Sequence, residues 1–146
     1  MSVRRLGITD LPTAGAIISR FTRSRRQDPW DFLADPYTLL LVAEEGGGPV
    51  GWLYGYELLR PDGRRVMLIQ QIEVDASVRR RGHGRALMAA ALRLARERGH
   101  AEVVAPARPG DPAASALFAR SGARQDQLRQ IYRWSMGDSD STPGAR

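Results

Sequence analysis

The segment RRRGHGR at positions 79–85 combines arginines and glycines in a spacing suited to binding an anion. An apolar strand is predicted before it and a long amphipathic helix after it, so the segment leads into the first turn of a helix. Unpaired N–H groups and the helix dipole attract anions at such a place. Gly82 and Gly84 carry no side chain that would keep a phosphate away from those N–H groups. The other residues add charged or polar donors: Arg79, Arg80, Arg81, His83 and Arg85.

The spacing separates this segment from two common phosphate-binding loops. A Walker loop ends in Gly-Lys-Ser/Thr, and the chain contains no lysine. A dinucleotide-binding fingerprint needs Gly or Ala where Leu87 stands, and its loop leaves the strand at once, whereas seven residues separate Val74 from Gly82. What remains is Arg79-x-x-Gly82-x-Gly84 between a strand and a helix. A basic helix start without a ligand is the alternative interpretation of the same motif.

The composition is that of a globular domain, since 42% of the 146 residues are hydrophobic and 26% are charged. We predict a single domain over 1–136, followed by a disordered tail rich in Ser, Asp, Gly and Pro over 137–146. The longest apolar runs, 39–43 and 86–92, are far shorter than the roughly 18 residues of a membrane span. The chain starts without a secretory segment. We therefore expect a cytoplasmic protein that does not interact with membranes.

Cysteine usage and charge limit the chemistry further. Without cysteine, the chain has no disulfide, no thiolate metal ligand and no cysteine nucleophile. His83 and His100 alone do not make a credible zinc site, so no metal is expected. The net charge of +6 could reflect nucleic-acid binding, but the arginines are scattered and are not interleaved with an aromatic platform. We expect no nucleic-acid partner, with an anionic cofactor balancing part of the charge.

Periodicity and turn signals predict a mixed α/β sheet with helices on both faces, in the order β-α-(α)-β-β-β-α-β-α-β. Pro12 near the start of the first helix and Asp111-Pro112 at the start of the last one are typical helix beginnings. The predicted strands cover 3–8, 37–44, 50–59, 65–74, 101–107 and 128–136, and the predicted helices cover 11–21, part of 28–36, 82–98 and 112–121.

The motif Arg79-x-x-Gly82-x-Gly84 resembles the acetyl-CoA pyrophosphate loop of the GNAT acetyltransferase superfamily, Gln/Arg-x-x-Gly-x-Gly/Ala, and the order of elements is the GNAT order. The stretch GDPAASALFARSG at 110–122 is similar to Gly-Asp-Asp-Pro-Ala-x-x-Leu-Tyr-x-x-x-Gly of the aminoglycoside 3-N-acetyltransferase branch. The resemblance implies a mainly antiparallel sheet and acetyl-CoA as the cofactor. It further implies acetyl transfer to a primary amine of a small molecule, with an aminoglycoside as the first candidate.

The resemblance also suggests how the cofactor would lie. In the superfamily the pantetheine arm pairs like an extra strand with the strand before the loop, whose counterpart here includes Ile72 and Val74. A backbone N–H near Val74 would then polarise the thioester carbonyl. Phe118 stands where the superfamily often has a tyrosine, and we expect it to pack against the cofactor or the core.

Acetyl transfer to an amine needs a base, because a simple alkylammonium has a pKa of about 10. Glu73 on the strand before the loop is the candidate base, with a half-solvated structural role as the alternative. Gln71 stands where the aminoglycoside enzymes are expected to have an aspartate, and an amide cannot take a proton. Phe118 cannot donate one, so Tyr132 is the candidate acid beside Tyr56, unless the thiolate leaves unassisted.

Acceptor recognition is expected from the early helix and loop and from the central strands. Acidic side chains there suit a polycationic acceptor, although turn and cap aspartates in a solvated loop would give the same pattern. Three other interpretations remain open: a peptide or protein N-acetyltransferase, a non-catalytic acyl-CoA sensor, and a basic nucleic-acid-binding domain. Either a monomer or a homodimer is compatible with the sequence. The candidate acceptor residues are Asp28, Trp30, Asp31, Asp35, Tyr54, Tyr56 and Gln71.

Overall fold

A five-stranded sheet organises the fold in this computed structural model, which describes residues 1–25 and 28–137. The strands lie in the order of the chain, and each pairs antiparallel with the next except β4 and β5, which are parallel. The mixed, mainly antiparallel sheet predicted from the sequence is thereby confirmed. The strands are β1 (Ser2–Arg5), β2 (Thr38–Glu45), β3 (Gly48–Leu59), β4 (Arg65–Val74) and β5 (Glu102–Val104).

Helices cover both faces of the sheet, as expected. On one face α1 packs against a core around Ile17, Val42 and Trp52. On the other face α3 buries Leu87 and Ala91, four residues apart on one stripe, against the second core. Because β2 is covered on both sides, its residues from 38 to 43 are all buried. The helices are α1 (Leu11–Phe21), α2 (Trp30–Ala34), α3 (His83–Glu97) and α4 (Pro112–Arg120), with 3-10 turns at Ile8–Asp10 and Ala76–Val78.

A β-bulge in β4 determines which of its side chains face α3 and which face α1. Tyr54 pairs with Gln71 but Gly55 pairs with Ile69, so Gln70 is an extra residue. Strict alternation along the sequence would place Glu73 on the same face as Ile69, but the extra residue reverses that alternation. Ile69 lies in the core beneath α3, whereas Gln71 pairs across from Tyr54, whose ring packs on the α1 side. Glu73 and Gln71 therefore share the face opposite to α3.

The predicted last strand, 128–136, is wrong within the described residues. The chain from 123 to 137 forms neither helix nor strand. A strand needs a neighbour for its backbone hydrogen bonds, and β5, only three residues long, ends the sheet with no described partner on its outer side. The apolar side chains of the segment are exposed, namely Leu128, Ile131, Tyr132, Trp134 and Met136.

Other boundaries differ modestly from the prediction. β1 ends at Arg5 because the chain then turns into the 3-10 segment, and β5 covers only three of the seven residues predicted as a strand. The predicted tail, 137–146, lies outside the described residues apart from Gly137. No helix within 1–25 and 28–137 is long and apolar enough to span a membrane.

Gly55 makes the bulge possible, and its replacement tests this. A Cβ there would lie 2.1 Å from the backbone oxygen of Leu68. We expect Gly55→Ala to lower the free energy of unfolding by about 1–3 kcal/mol, the usual range for overpacking, measured by urea denaturation. Gly15→Ala is the matched control, because nothing lies within 4 Å of that position. It should instead raise stability by about 0.5–1 kcal/mol, as alanine usually does inside a helix. A Gly55→Ala variant as stable as the parent chain would contradict the close contact.

Candidate active site

The second half of β4 has an unpaired backbone edge. β5 pairs with Val66, Met67 and Leu68, so within 1–25 and 28–137 the strand neighbour of residues 69–74 lies on the β3 side alone. The N–H and C=O groups on their outer side can form hydrogen bonds with another extended chain, which would lie beside β4 like an added strand. This is the place at which the GNAT resemblance predicts the pantetheine arm, next to Ile72 and Val74.

The turn that follows β4 is held by Asp75. Its Oδ1 accepts hydrogen bonds from the backbone N–H of Ser77 at 2.9 Å and from the Ser77 hydroxyl at 2.8 Å. Arg20 of α1 pairs with the same carboxyl group. These hydrogen bonds lower the pKa of Asp75 to about 2, and the bond from the backbone N–H of Ser77 has the largest effect. The carboxylate thus fixes the path of the chain from the strand edge into the arginine-rich loop.

The loop itself adopts the conformation expected of an anion-binding helix start. Gly82 has φ +89° and precedes α3, whose first intrahelical bond runs from the Ala86 N–H to the Gly82 carbonyl at 2.9 Å. The N–H groups of residues 83–85 come before that bond and therefore have no carbonyl within the helix to donate to. Arg80 is also left-handed, with φ 65°, a conformation that non-glycine residues rarely adopt.

The arginines of the loop are exposed, as a binding role requires. Arg79, Arg80, Arg81 and Arg85 all reach solvent, and Arg79 Nε lies 3.4 Å from the carbonyl oxygen of Val74. A Cβ on Gly84 would lie 3.4 Å from Leu117 of α4, so this glycine brings α3 and α4 close together. The cationic donors and the free N–H groups thus lie at the end of the open β4 edge.

His83 differs from the arginines because its side chain is turned inward. Only 2% of the residue is exposed, and its Nε2 lies 2.6 Å from Oε2 of Glu45 on β2. The other carboxylate oxygen of Glu45 accepts a hydrogen bond from Arg81 at 3.0 Å. These two bonds lower the pKa of Glu45, and the bond to His83 has the larger effect. His83 can therefore offer an anion its backbone N–H, whereas its ring serves the loop's own structure.

Glu73 and Gln71 lie together on the α1 side of β4. The Gln71 amide donates to Oε2 of Glu73 at 3.0 Å, and both side chains are half-buried. Their cross-strand partners are Trp52 and Tyr54. Glu73 thus stands beside the open edge at which a thioester would lie, but on the opposite face from α3.

Aromatic rings extend from this pair toward α2. Trp52 and Tyr54 have ring centroids 4.9 Å apart, and Phe32 of α2 packs edge-on against Tyr54 and Tyr56. Burial raises the pKa of Tyr54, so its hydroxyl stays protonated. The structure therefore brings together three of the predicted acceptor residues: Tyr54, Tyr56 and Gln71.

The predicted acidic residues lie on the neighbouring segment and are exposed. Asp31 is in the first turn of α2, and Asp35 caps the turn after it, where its Oδ1 accepts from the Tyr37 N–H at 2.8 Å. Asp35 thus stabilises a turn, which is the structural role that the sequence offered as the alternative to acceptor binding. Asp28 and Trp30 are exposed at the start of the same segment.

Tyr132, the candidate acid, lies in an exposed part of the chain. Tyr132 is 71% exposed in the segment that follows α4, and its hydroxyl donates to Gln130 at 2.8 Å. Phe118 is half-buried and packs, with Leu117, against the core beneath α3. Asp111 caps α4 by accepting from the Ala114 N–H at 3.0 Å. In the described residues, no three His, Cys, Asp or Glu side chains cluster as metal ligands.

Sequence reasoning missed Glu45 and the Arg20–Asp75 pair. Glu45 is 38 residues away from His83 in the chain. Only the alternation of β2, which places Glu45 on the same face as Leu41 and Ala43, indicates that it points toward α3. No local motif connects either pair.

Gly82 allows a test of the loop as an anion site. Alanine at φ +89° is strained by about 1–2 kcal/mol, so Gly82→Ala should distort the turn that exposes the N–H groups. We expect the affinity for CoA, measured by calorimetry, to fall about tenfold. Gly63→Ala carries similar strain at φ +82°, in the turn before β4 at the far end of that strand. It should lose stability and keep its CoA affinity; equal losses in both variants would refute the local role of Gly82.

Comparison with known proteins agrees with this geometry. Residues 8–123 match the Acetyltransferase (GNAT) family. A curated relative, the L-2,4-diaminobutyric acid acetyltransferase of Streptomyces coelicolor, is 36% identical over 102 residues, which cover 66% of this chain. The chain spans 57% of that relative's length.

Solved structures share the fold. The ribosomal-protein-alanine N-acetyltransferase from Brucella melitensis biovar Abortus 2308 superposes with a TM-score of 0.76 at 23% identity, over 92% of this chain and 100% of that one. The aminoglycoside N-acetyltransferase AAC(6')-Iy in complex with CoA gives a TM-score of 0.78 at 19% identity, over 92% of this chain and 99% of that one. The family match covers most of the chain, and this protein belongs to the GNAT family of acetyltransferases.

Proposed function

We propose that the protein is an acetyl-CoA-dependent N-acetyltransferase that acetylates a primary amine of a small molecule. One observation carries the proposal: the unpaired edge of β4 leads directly into a loop with free helix N–H groups and exposed arginines. An extended chain ending in a diphosphate fits that combination, because the edge binds the chain and the loop binds the charge.

Residues of this chain fit both ends of acetyl-CoA. The backbone of Ile72 and Val74 would hold the pantetheine arm, and the helix start at residues 82–85 would hold the pyrophosphate with the surrounding arginines. The family match and a CoA-bound structure of the same fold support this assignment. When bound, the cofactor supplies the activated acetyl group.

Glu73 is the group proposed to accept the proton of the acceptor amine. Its Oε2 is held by the Gln71 amide at 3.0 Å, and no described residue donates to Oε1, which is left for the amine. Tyr132 lies in the exposed segment after α4, so we propose that the CoA thiolate, whose thiol pKa is near 8.5, leaves without protonation by Tyr132.

The acceptor is proposed to be a small cationic amine, with aminoglycoside amino sugars and diamino acids as the first classes to test. The α2 segment that packs Phe32 against the aromatic rings also carries the exposed Asp31, and both groups suit a cation. The diaminobutyrate and aminoglycoside enzymes among the relatives support small amines. The aminoglycoside structure cited above is a 6′ enzyme, so the 3-N branch stays a prediction.

Two other functions stay open to test. A peptide acceptor is favoured by the fold shared with the ribosomal-protein-alanine enzyme. A non-catalytic acyl-CoA sensor is favoured by Gln71, which cannot accept a proton, by Phe118, which cannot donate one, and by the exposed position of Tyr132. Nucleic acid is not proposed as a partner, because several arginines are engaged with carboxylates of the protein itself.

Thiol release from acetyl-CoA tests the proposal directly. The chain has no cysteine, so a thiol-reactive dye reports released CoA without a protein background. We expect release with small cationic amines, such as aminoglycosides or diamino acids, and none with short peptides. Release with peptides alone would replace the small-molecule proposal. CoA binding without release across the panel would favour the sensor.

Replacement of Glu73 tests the base. Glu73→Gln keeps the size of the side chain and removes its ability to take a proton, so kcat should fall about 100-fold or more, within the usual range for a general base. The affinity for CoA should change little. Glu97→Gln, at an exposed position on α3, is the control and should keep full activity. A Glu73→Gln enzyme with unchanged kcat would make Glu73 structural.

A further inference from the structure

The β2–β3 hairpin is hydrogen-bonded to the arginine loop, residues 79–85, through Glu45. Glu45 is the last residue of β2, and its two carboxylate oxygens bond two different loop residues: Oε2 meets His83 Nε2 at 2.6 Å, and Oε1 meets Arg81 Nη1 at 3.0 Å. A side chain outside the loop thereby fixes both a buried residue and an exposed residue of the loop.

The hairpin holds Glu45 firmly in place. Glu45 pairs with Gly48 across a two-residue turn in which Gly46 and Gly47 have φ values of +63° and +84°. Positive φ at both turn residues gives the tight turn whose twist matches that of paired strands. The carboxylate is therefore presented by a paired strand end and not by a mobile loop.

His83 depends on this single contact. The ring is buried, and Nδ1 has no hydrogen-bond partner among the described residues, so Glu45 provides the one polar contact of the imidazole. A carboxylate accepts hydrogen bonds, which places a proton on Nε2. Because His83 is the first residue of α3, anchoring its ring also fixes the direction of the first-turn N–H groups.

Arg81 is held in a different way. One Nη atom bonds Glu45, and a guanidinium has five N–H donors, so donors remain for a second anion. The residue is exposed at the mouth of the loop. Glu45 thus keeps the guanidinium beside the helix start instead of leaving the long side chain free in solvent, where ordering it would cost entropy.

From this geometry, and resting on the proposed function, we infer that Glu45 is a positioning residue for the pyrophosphate of acetyl-CoA. It preorganises the loop through His83 and Arg81 and does not itself touch the cofactor. Such a role lowers the cost of ordering the loop on binding. It acts on the diphosphate end of the cofactor and not on the acetyl end.

Glu45→Gln is the test variant, because glutamine keeps the shape but its NH2 group cannot accept from His83 or Arg81. At least one of the two charge-assisted bonds is lost. We expect the Kd for CoA, measured by calorimetry without an acceptor, to rise about tenfold. KM for acetyl-CoA should rise similarly, with kcat changing less than about twofold.

Two controls distinguish a positioning role of Glu45 from a general destabilisation of the fold. Glu44→Gln alters the neighbouring residue, which pairs with Arg4 of β1 at 3.2 Å and has no bond to the loop; its Kd for CoA should equal that of the parent chain. S-acetylpantetheine lacks the pyrophosphate, so its KM should be the same for Glu45→Gln and the parent chain. If Glu45→Gln does not fold, Glu45→Asp replaces it, since a shorter carboxylate keeps the charge but not both bonds.

The outcomes are distinct. A parent chain that does not bind CoA refutes the proposed function itself. A parent chain that binds CoA, with a Glu45 variant that binds equally well, refutes the positioning role alone. The positioning role is also refuted if the KM of Glu45→Gln rises as much for S-acetylpantetheine as for acetyl-CoA. It is refuted too if Glu44→Gln loses as much CoA affinity as Glu45→Gln, because neither effect would be specific to the loop. Selective loss of pyrophosphate-dependent affinity in the Glu45 variant supports it.

Discussion

The site depends on how β4 is paired along its length. Residues 66–68 have strands on both sides, but the pairing with β5 ends at Leu68, so the following residues have a neighbour only on the β3 side in the part of the chain that the structure describes. Unpaired backbone groups at a strand edge usually attract unwanted partners. Here the open edge begins at the bulge at Gln70 and ends at the loop after Val74. It therefore has room for one extended ligand of limited length.

Electrostatics at the end of that edge are balanced by the protein itself. The loop places several guanidinium groups beside a helix start, an arrangement that is repulsive without an anion. Glu45 supplies a carboxylate that binds Arg81 of the loop, and Asp75, at the start of the loop, binds Arg20 of α1. Because these carboxylates contact only part of the cationic surface, the loop stays ordered and still attracts a phosphate.

The sequence sufficed for the parts of the structure that arise from local patterns. The strand–loop–helix with Gly82, the α3 stripe and the Asp111 cap follow from residues close together in the chain. The bulge was not predictable, since it depends on the contact between Gly55 and the carbonyl of Leu68, and it moved Ile69 to the other face from Glu73. The aromatic residues of 128–136 favoured a strand there, but aromatic content does not supply a pairing partner.

Gln71 shows how a departure from a family pattern can still serve the chemistry. The resemblance led us to expect an aspartate there, which would place a second carboxylate beside Glu73 on the same face of the strand, where each disfavours the ionisation of the other. The amide instead donates to Oε2 of Glu73 and leaves Oε1 for the acceptor amine. A single, oriented carboxylate can take one proton and attract one cation. The bulge that turns both Gln71 and Glu73 to the face opposite to α3 is therefore a precondition for the proposed catalysis, and Gly55 is the residue that permits it.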